Sequence, residues 1–344
     1  MSLFQDGVLI LNQAGTLCFA DPNARQILEM PEGQLDPDFI SHSQEDALRE
    51  LVERAQSENN TQEHEFVTEH LSVNKNLSIL AEPYQLTEDG TTGWLVIVRD
   101  ITSVRRLEGM EKEFITNVSH ELRTPLTSIK MAAESLRMGA IESPKFKERF
   151  LSNIQREADR LTRLVNELLV ISNLEDAKTT LHLSQFDMAG LLDDVMSTME
   201  PHARVNDIEL VGEFPELLPT MYADRDRILQ VLINLVDNAI KCNRPNGTVT
   251  LKIEVVDQKV HAQIIDTGIG IPDIDLPRIF NRFFRVDKSR SRVTGGTGLG
   301  LSIVKDIIEA HQGEINVEST LNVGTTFHIH LPVRVKLEEE ELSS

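Results

Sequence analysis

Short apolar runs bounded by turn formers fill the first hundred residues, and a helical period takes over near Ile101. Val8 to Leu11 and Thr16 to Phe19 flank Asn12-Gln13-Ala14-Gly15, which predicts a hairpin. Leu77 to Leu80 leads through Tyr84 and the Asp89-Gly90 turn signal to Trp94-Leu95-Val96-Ile97-Val98, a second hairpin. Residues 43 to 58 between them read as a helix. From Ile101 the positions Phe114, Val118, Leu122, Leu126, Ile129, Ala133 and Leu136 follow steps of four or three, one continuous apolar stripe. Gly139-Ala140-Ile141-Glu142-Ser143-Pro144 breaks it, and Ile154, Ala158, Leu161, Val165 and Leu168 resume the same rhythm. The pair predicts an antiparallel helical hairpin. Two helices bury little surface, so dimerisation into a four-helix bundle is the expected way to cover the stripe.

After residue 183 helix and strand patterns alternate. Helices are expected near 187 to 200, 224 to 242 and 299 to 312, and strands near 208 to 214, 248 to 256, 259 to 266, 314 to 319 and 324 to 331, an α/β sandwich. At 344 residues the chain calls for two or three cores. The fold class predicted is multidomain α+β.

Charge narrows the function. With 34 basic against 55 acidic residues the chain carries −21, which disfavours attraction to nucleic acid phosphates. Cys18 and Cys242 form no CxxC pair, so neither a disulfide framework nor a zinc cluster is expected. The start has no basic n-region, and no apolar run reaches the roughly 18 residues of a membrane span. The chain as given is expected to be soluble and cytoplasmic, though it is also compatible with being part of a longer membrane protein. The Glu338-Glu339-Glu340-Glu341 run reads as a solvated tail.

Candidate chemistry begins at His120, two positions from both Val118 and Leu122 and so about 200° from each around a helix. Its imidazole is expected to face away from the stripe. Glu121 is placed to accept the Nδ1 proton, leaving Nε2 as nucleophile. Thr124, one turn on, can orient a water, and Pro125 is expected to bend the helix. Asn234 and Asn238 lie one turn apart on a predicted helix and with Lys241 form a polar ridge suited to Mg²⁺ and phosphate. Asp266 ends an apolar strand and is followed by Thr267-Gly268-Ile269-Gly270-Ile271-Pro272; its carboxylate can accept from a purine amine. Gly295-Gly296-Thr297-Gly298-Leu299-Gly300-Leu301 opens a helix with free N–H groups for phosphate, yet is neither a P-loop nor a dinucleotide fingerprint. Between these runs lie Phe280-Asn281-Arg282-Phe283-Phe284-Arg285-Val286-Asp287 and then Lys288, Arg290 and Arg292, a basic cluster that reads as a lid over polyphosphate.

Taken together, these motifs closely resemble the sensor histidine kinases of two-component signalling. Phe114 to Leu126 resembles the H-box, Asn234 to Lys241 the N-box, Asp266 to Pro272 the G1 box, Phe280 to Asp287 the F-box and Gly295 to Leu301 the G2 box. The resemblance implies a homodimeric phosphotransfer domain, an ATP-binding domain of the GHKL type, and autophosphorylation of His120 with transfer to an aspartate of a response regulator receiver domain. It also implies that Asn238 coordinates Mg²⁺, Asp266 recognises adenine and Thr124 supports dephosphorylation. ATP-site residues expected on this basis are Asn234, Asn238, Lys241, Asp266, Gly268, Gly270, Arg285, Gly296, Thr297, Gly298, Leu299 and Gly300. Cys242 departs from the family, which usually has an aromatic residue there, so weaker stacking on adenine is expected.

The first hundred residues are similar to a PAS sensor domain, with Asp100-Ile101-Thr102 resembling its terminal motif. Cys18 fits no flavin-adduct motif, and His42, His64 and His70 read as surface residues. The domains expected are 1–100 PAS-like, 101–113 signalling helix, 114–180 dimerisation and phosphotransfer, 184–334 ATP-binding and 335–344 acidic tail. Two rivals stay open: a net phosphatase directing water onto the regulator's phosphoaspartate, and a non-catalytic nucleotide-sensing scaffold.

Overall fold

A computed structural model describes residues 6–31, 35–42, 45–68, 71–85, 92–175, 181–256, 259–286 and 297–333. The chain divides into two units, Met1–Ile115 and Thr116–Ser344.

In the first unit, β1 (Gly7–Asn12) and β2 (Leu17–Ala20) form the first expected hairpin; the Asn12 side chain accepts from the N–H groups of Ala14 and Thr16, and Gly15 takes φ 84°. Then come α1 (Pro22–Ile27), α2 (Phe39–His42), α3 (Asp46–Glu58), β3 (Gln62–Val67), β4 (Asn76–Gln85) and β5 (Thr92–Asp100). The sheet order is β2-β1-β5-β4-β3, with every pair antiparallel. Leu9, Leu11, Leu77, Ile79, Val96 and Val98 supply the buried face, closed by Leu48, Leu51 and Val52 of α3. Asp21 caps α1 and ties it to β1, accepting from Ala24 N and Val8 N. Asp100-Ile101-Thr102 forms a staple: Ile101 N donates to Asn76 O, the Thr102 hydroxyl accepts from Asn76 N, and Asp100 accepts from Thr102 N. The Asp89-Gly90 turn lies outside the described residues, as does His70. His64 is exposed and stacks on Phe66.

Helix α4 (Thr102–Arg137) stays continuous through Pro125, and α5 (Pro144–Glu175) returns after a turn in which Gly139 has φ 109°. The expected stripes are covered unevenly within one chain. Leu126 and Val165 are 61% and 46% exposed, whereas Pro125, Ala132, Leu164 and Ile171 are buried. Phe114, Val118, Leu122, Ile129 and Leu136 of the first expected stripe and Ile154, Leu161 and Leu168 of the second are half-buried, so a single chain covers the stripes in part. No helix among the described residues is long and apolar enough to cross a membrane.

The rest of the second unit is an α/β sandwich. β7 (Glu209–Glu213), β9 (Thr248–Val256), β10 (Lys259–Asp266), β11 (Glu314–Thr320) and β12 (Gly324–Pro332) form a sheet of order β11-β12-β10-β9-β7. Only the β7–β9 pair among these is parallel. The alternating residues Val249, Leu251, Val260, Ala262, Ile264, Phe327 and Ile329 are buried, as are Leu191 and Val195 of α6 (Met188–Val205), Ile228, Val231, Leu235 and Val236 of α7 (Arg225–Lys241), and Ile303 and Ile307 of α8 (Gly300–Ala310). Period two on the strands and 3.6 on the helices thus make one shared core. Two short strands absent from the sequence expectation, β6 (Ser184–Asp187) and β8 (Thr220–Ala223), pair antiparallel at the entrance to α6 and α7. Asp187 and Asp224 cap those helices.

Candidate functional site

His120 is exposed on α4, as its offset from Val118 and Leu122 requires, and its ring carries no hydrogen bond among the described residues. Its neighbours are arranged differently from the expectation. Glu121 Oε2 accepts from Arg160 Nη2 of α5 at 2.7 Å, so the carboxylate faces the second helix of the hairpin. The Thr124 hydroxyl donates to His120 O at 3.2 Å, which occupies its proton within the helix.

The nucleotide-site candidates converge on one edge of the sandwich. Asp266 ends β10 and is 7% exposed; Oδ1 accepts from Gly268 N at 2.8 Å and Thr325 N at 3.2 Å. Both bonds fall on one oxygen, which leaves Oδ2 available to a donor. Burial pushes this carboxyl's pKa up, against the two backbone N–H groups that pull it down. The loop after it is glycine-dependent for two separate reasons. A Cβ on Gly268 would stand 2.4 Å from Cys242 O, and Gly270 has φ 67°. Ile269 N donates to Cys242 O at 3.0 Å, which fixes this loop against the end of α7.

On α7, Asn234 and Asn238 are half-buried, one turn apart, and neither carboxamide is hydrogen-bonded to a described residue. Lys241 follows on the same side, its ammonium paired with Asp237. Further along the chain, Phe283 N donates to Gly298 O at 2.8 Å, Gly298 has φ 79°, and a Cβ there would lie 2.9 Å from the Phe283 backbone. Thr297 and Leu299 are buried and lead into Gly300, the first residue of α8. Gly296 and the basic residues Lys288, Arg290 and Arg292 lie outside the described residues.

A hydrogen bond links this edge to the helical hairpin, and the charges of the hairpin reach Arg285. The Thr297 hydroxyl donates to Glu167 Oε2 of α5 at 2.5 Å. Arg285 is half-buried, and its guanidinium pKa is lowered by burial while the charge of Glu121 raises it and that of Arg160 lowers it. Glu167 and Arg160 are the residues that sequence reading missed. Both lie on a turn-repeating polar–apolar line with Leu164 and Ile171, a signal visible only as polar interruptions of a second stripe.

Comparison with known proteins adds independent information. The family model described as histidine kinase-, DNA gyrase B- and HSP90-like ATPase matches residues 223–335, and the His Kinase A (phospho-acceptor) domain matches residues 110–177. Sensor histidine kinase WalK of Bacillus subtilis (strain 168) is 32% identical over 97% of this chain and 55% of its own length. Sensor protein kinase WalK of Staphylococcus epidermidis (strain ATCC 12228 / FDA PCI 1200) is 33% identical over 96% of the chain and 54% of its length. The chain therefore spans about half the length of these curated relatives. Among solved structures, the Acinetobacter baumannii histidine kinase AdeS matches with TM-score 0.51 and 28% identity, over 63% of this chain and 98% of that one. Histidine kinase ThkA, solved in complex with the response regulator protein TrrA, shares the fold with TM-score 0.54 and 24% identity over 95% of this chain and 96% of that one.

Proposed function

Because this chain belongs to the sensor histidine kinases of two-component signalling, we propose that it phosphorylates His120 from ATP and passes the phosphoryl group to an aspartate of a response regulator receiver domain. The observation that carries this reading is an exposed imidazole on α4 in the same unit as a glycine-dependent loop in which buried Asp266 takes both of its backbone hydrogen bonds on Oδ1.

In this mechanism Asp266 accepts the purine amine, while Gly268 and Gly270 let the backbone approach the base. The backbone N–H groups of Thr297 to Gly300 at the start of α8, together with Gly296, hold phosphate oxygens. Arg285 and Lys241 add positive charge. The unpartnered carboxamides of Asn238 and Asn234 suit Mg²⁺, which takes oxygen ligands. Mg²⁺, when bound, neutralises triphosphate charge. His120 Nε2 attacks the γ-phosphorus; the P–N bond forms as the bond to the β,γ-bridging oxygen breaks, releasing ADP. The imidazole's Nδ1 proton passes to Glu121, which first leaves Arg160. Positioning and charge stabilisation supply most of the acceleration, as in phosphoryl transfer generally.

Around this centre we assign residues 114–180 to a dimerisation and phosphotransfer domain, 184–334 to the ATP-binding domain and 335–344 to an acidic tail. Residues 1–100 are assigned to a PAS-type sensor, supported by a five-stranded antiparallel sheet whose helices fall between its second and third strands. Residues 101–113 are the signalling helix. The dimer is a four-helix bundle covering the exposed Leu126, Met131, Val165 and Leu169. The reaction takes place in the cytoplasm.

The test is incubation with γ-labelled ATP and Mg²⁺. Wild type is expected to retain label that is acid-labile and base-stable, and His120→Gln none. Equal labelling of the variant would refute the assignment.

A further inference from the structure

Arg160, Leu164, Glu167 and Ile171 succeed one another on α5 at steps of four, three and four, so they share one helix face. Leu164 and Ile171 are buried on that face, and α5 packs against α8. Between them, Glu167 points its carboxylate at the start of α8, where Thr297 donates to it at 2.5 Å. The same Thr297 oxygen accepts from Leu299 N at 3.3 Å. Burial pushes the Glu167 pKa up, opposed by the Thr297 hydrogen bond and by the charges of Arg163 and Lys241. The carboxylate thus engages the hydroxyl of one wall of the cleft and feels the ammonium of the other.

A hydroxyl has a single proton to donate. The N-terminus of an eleven-residue helix favours one anion at its mouth. We propose that Glu167 is a built-in occupant of the phosphate end of the nucleotide cleft: its carboxylate takes a phosphate's place at Thr297 and must withdraw before the triphosphate is seated. A purely structural tie between α5 and α8 needs no charge, since Leu164 and Ile171 already supply the apolar contact. A carboxylate here is desolvated and easily displaced by a more strongly charged anion. Nucleotide loading is then coupled to movement of α5, the helix that also holds Glu121 through Arg160. Release of one end of this face frees the Thr297 hydroxyl; release of the other frees the base beside His120.

This inference rests on the nucleotide-site reading, and the experiment separates the two. Wild type, Glu167→Gln and Glu167→Ala are titrated calorimetrically with a non-hydrolysable ATP analogue, with ADP and with adenosine. Both variants are expected to bind the ATP analogue more tightly, by about tenfold for the loss of a competing charge-assisted hydrogen bond. ADP should gain in the same direction and adenosine not at all, because adenosine brings no phosphate to compete. Unchanged or weaker binding of the analogue by the variants, or an equal gain for adenosine, overturns the proposal while leaving the nucleotide site intact. Failure of wild type and variants alike to bind any of the three removes the nucleotide site and this inference with it.

Discussion

Asp266 combines a binding role with a cost to the fold. Its carboxyl holds a proton more tightly in the folded chain than in the unfolded one, since burial raises its pKa. Its contribution to stability is therefore present below the unfolded value and lost as pH rises through the folded one. Asp266→Asn is expected to stabilise the empty protein at neutral pH by about 1 kcal/mol, read from a denaturant midpoint, while weakening ATP binding. A variant that loses stability and keeps full affinity would contradict the assignment. For the wild type, nucleotide affinity should fall as pH drops through the raised Asp266 pKa, because the protonated acid is a poorer acceptor. Nearby, Cys242 is exposed and anchored through its carbonyl to the Gly268 loop. Cys242→Tyr is expected to tighten adenine-nucleotide binding by roughly 1 kcal/mol through stacking, and a titration showing no gain would refute the idea that this position limits affinity. These residues were legible because an acid at a strand end followed by two glycines leaves a local signature. Glu167 and Arg160 were not: their partners, Thr297 and Glu121, are 130 and 39 residues away.

At the scale of elements, the helices of the hairpin show where periodicity stops being informative. α5 carries one apolar line through Ala158, Leu161 and Val165 and another through Leu164 and Ile171. The first is half-buried at Leu161 and exposed at Ala158 and Val165, and Arg160 and Glu167 interrupt the second. Packing buries the second, since those charged side chains find partners on α4 and before α8. Leu164→Ala and Ile171→Ala should each cost about 2–4 kcal/mol by leaving a cavity, measured by chemical unfolding. Val165→Ala should cost little in a monomer and show itself only in assembly. The three main helices and five main strands of the sandwich fell close to their expected ranges because both periods are long and regular there. β3, β6 and β8 were missed for opposite physical reasons: β3 is a polar edge strand with mostly exposed residues, and the other two have four residues each, too few to display alternation.

For the whole molecule, a net charge of −21 sits beside a site assigned to a polyanion. Local positive charge must therefore come from Arg285 and Lys241 and from the basic residues between the glycine runs. Exposed Leu126 on α4 and exposed Val165 and Leu169, one turn apart on α5, are the apolar positions that a second copy would cover. Sedimentation is expected to give a dimer for wild type and a monomer for Leu126→Glu combined with Val165→Glu; a monomeric wild type would refute the four-helix bundle. If residues 1 to 100 are a sensor, their deletion changes kinase or phosphatase rates, and unchanged rates would remove that role. The central claim is that the phosphoryl group of ATP reaches His120. The most direct measurement is mass-spectrometric mapping, under basic conditions, of the chain incubated with ATP and Mg²⁺, alongside Asn238→Ala. The account predicts a phosphoryl group on His120 in wild type and its loss in the variant; phosphate on a hydroxyl side chain such as Thr124, or none at all, would contradict it.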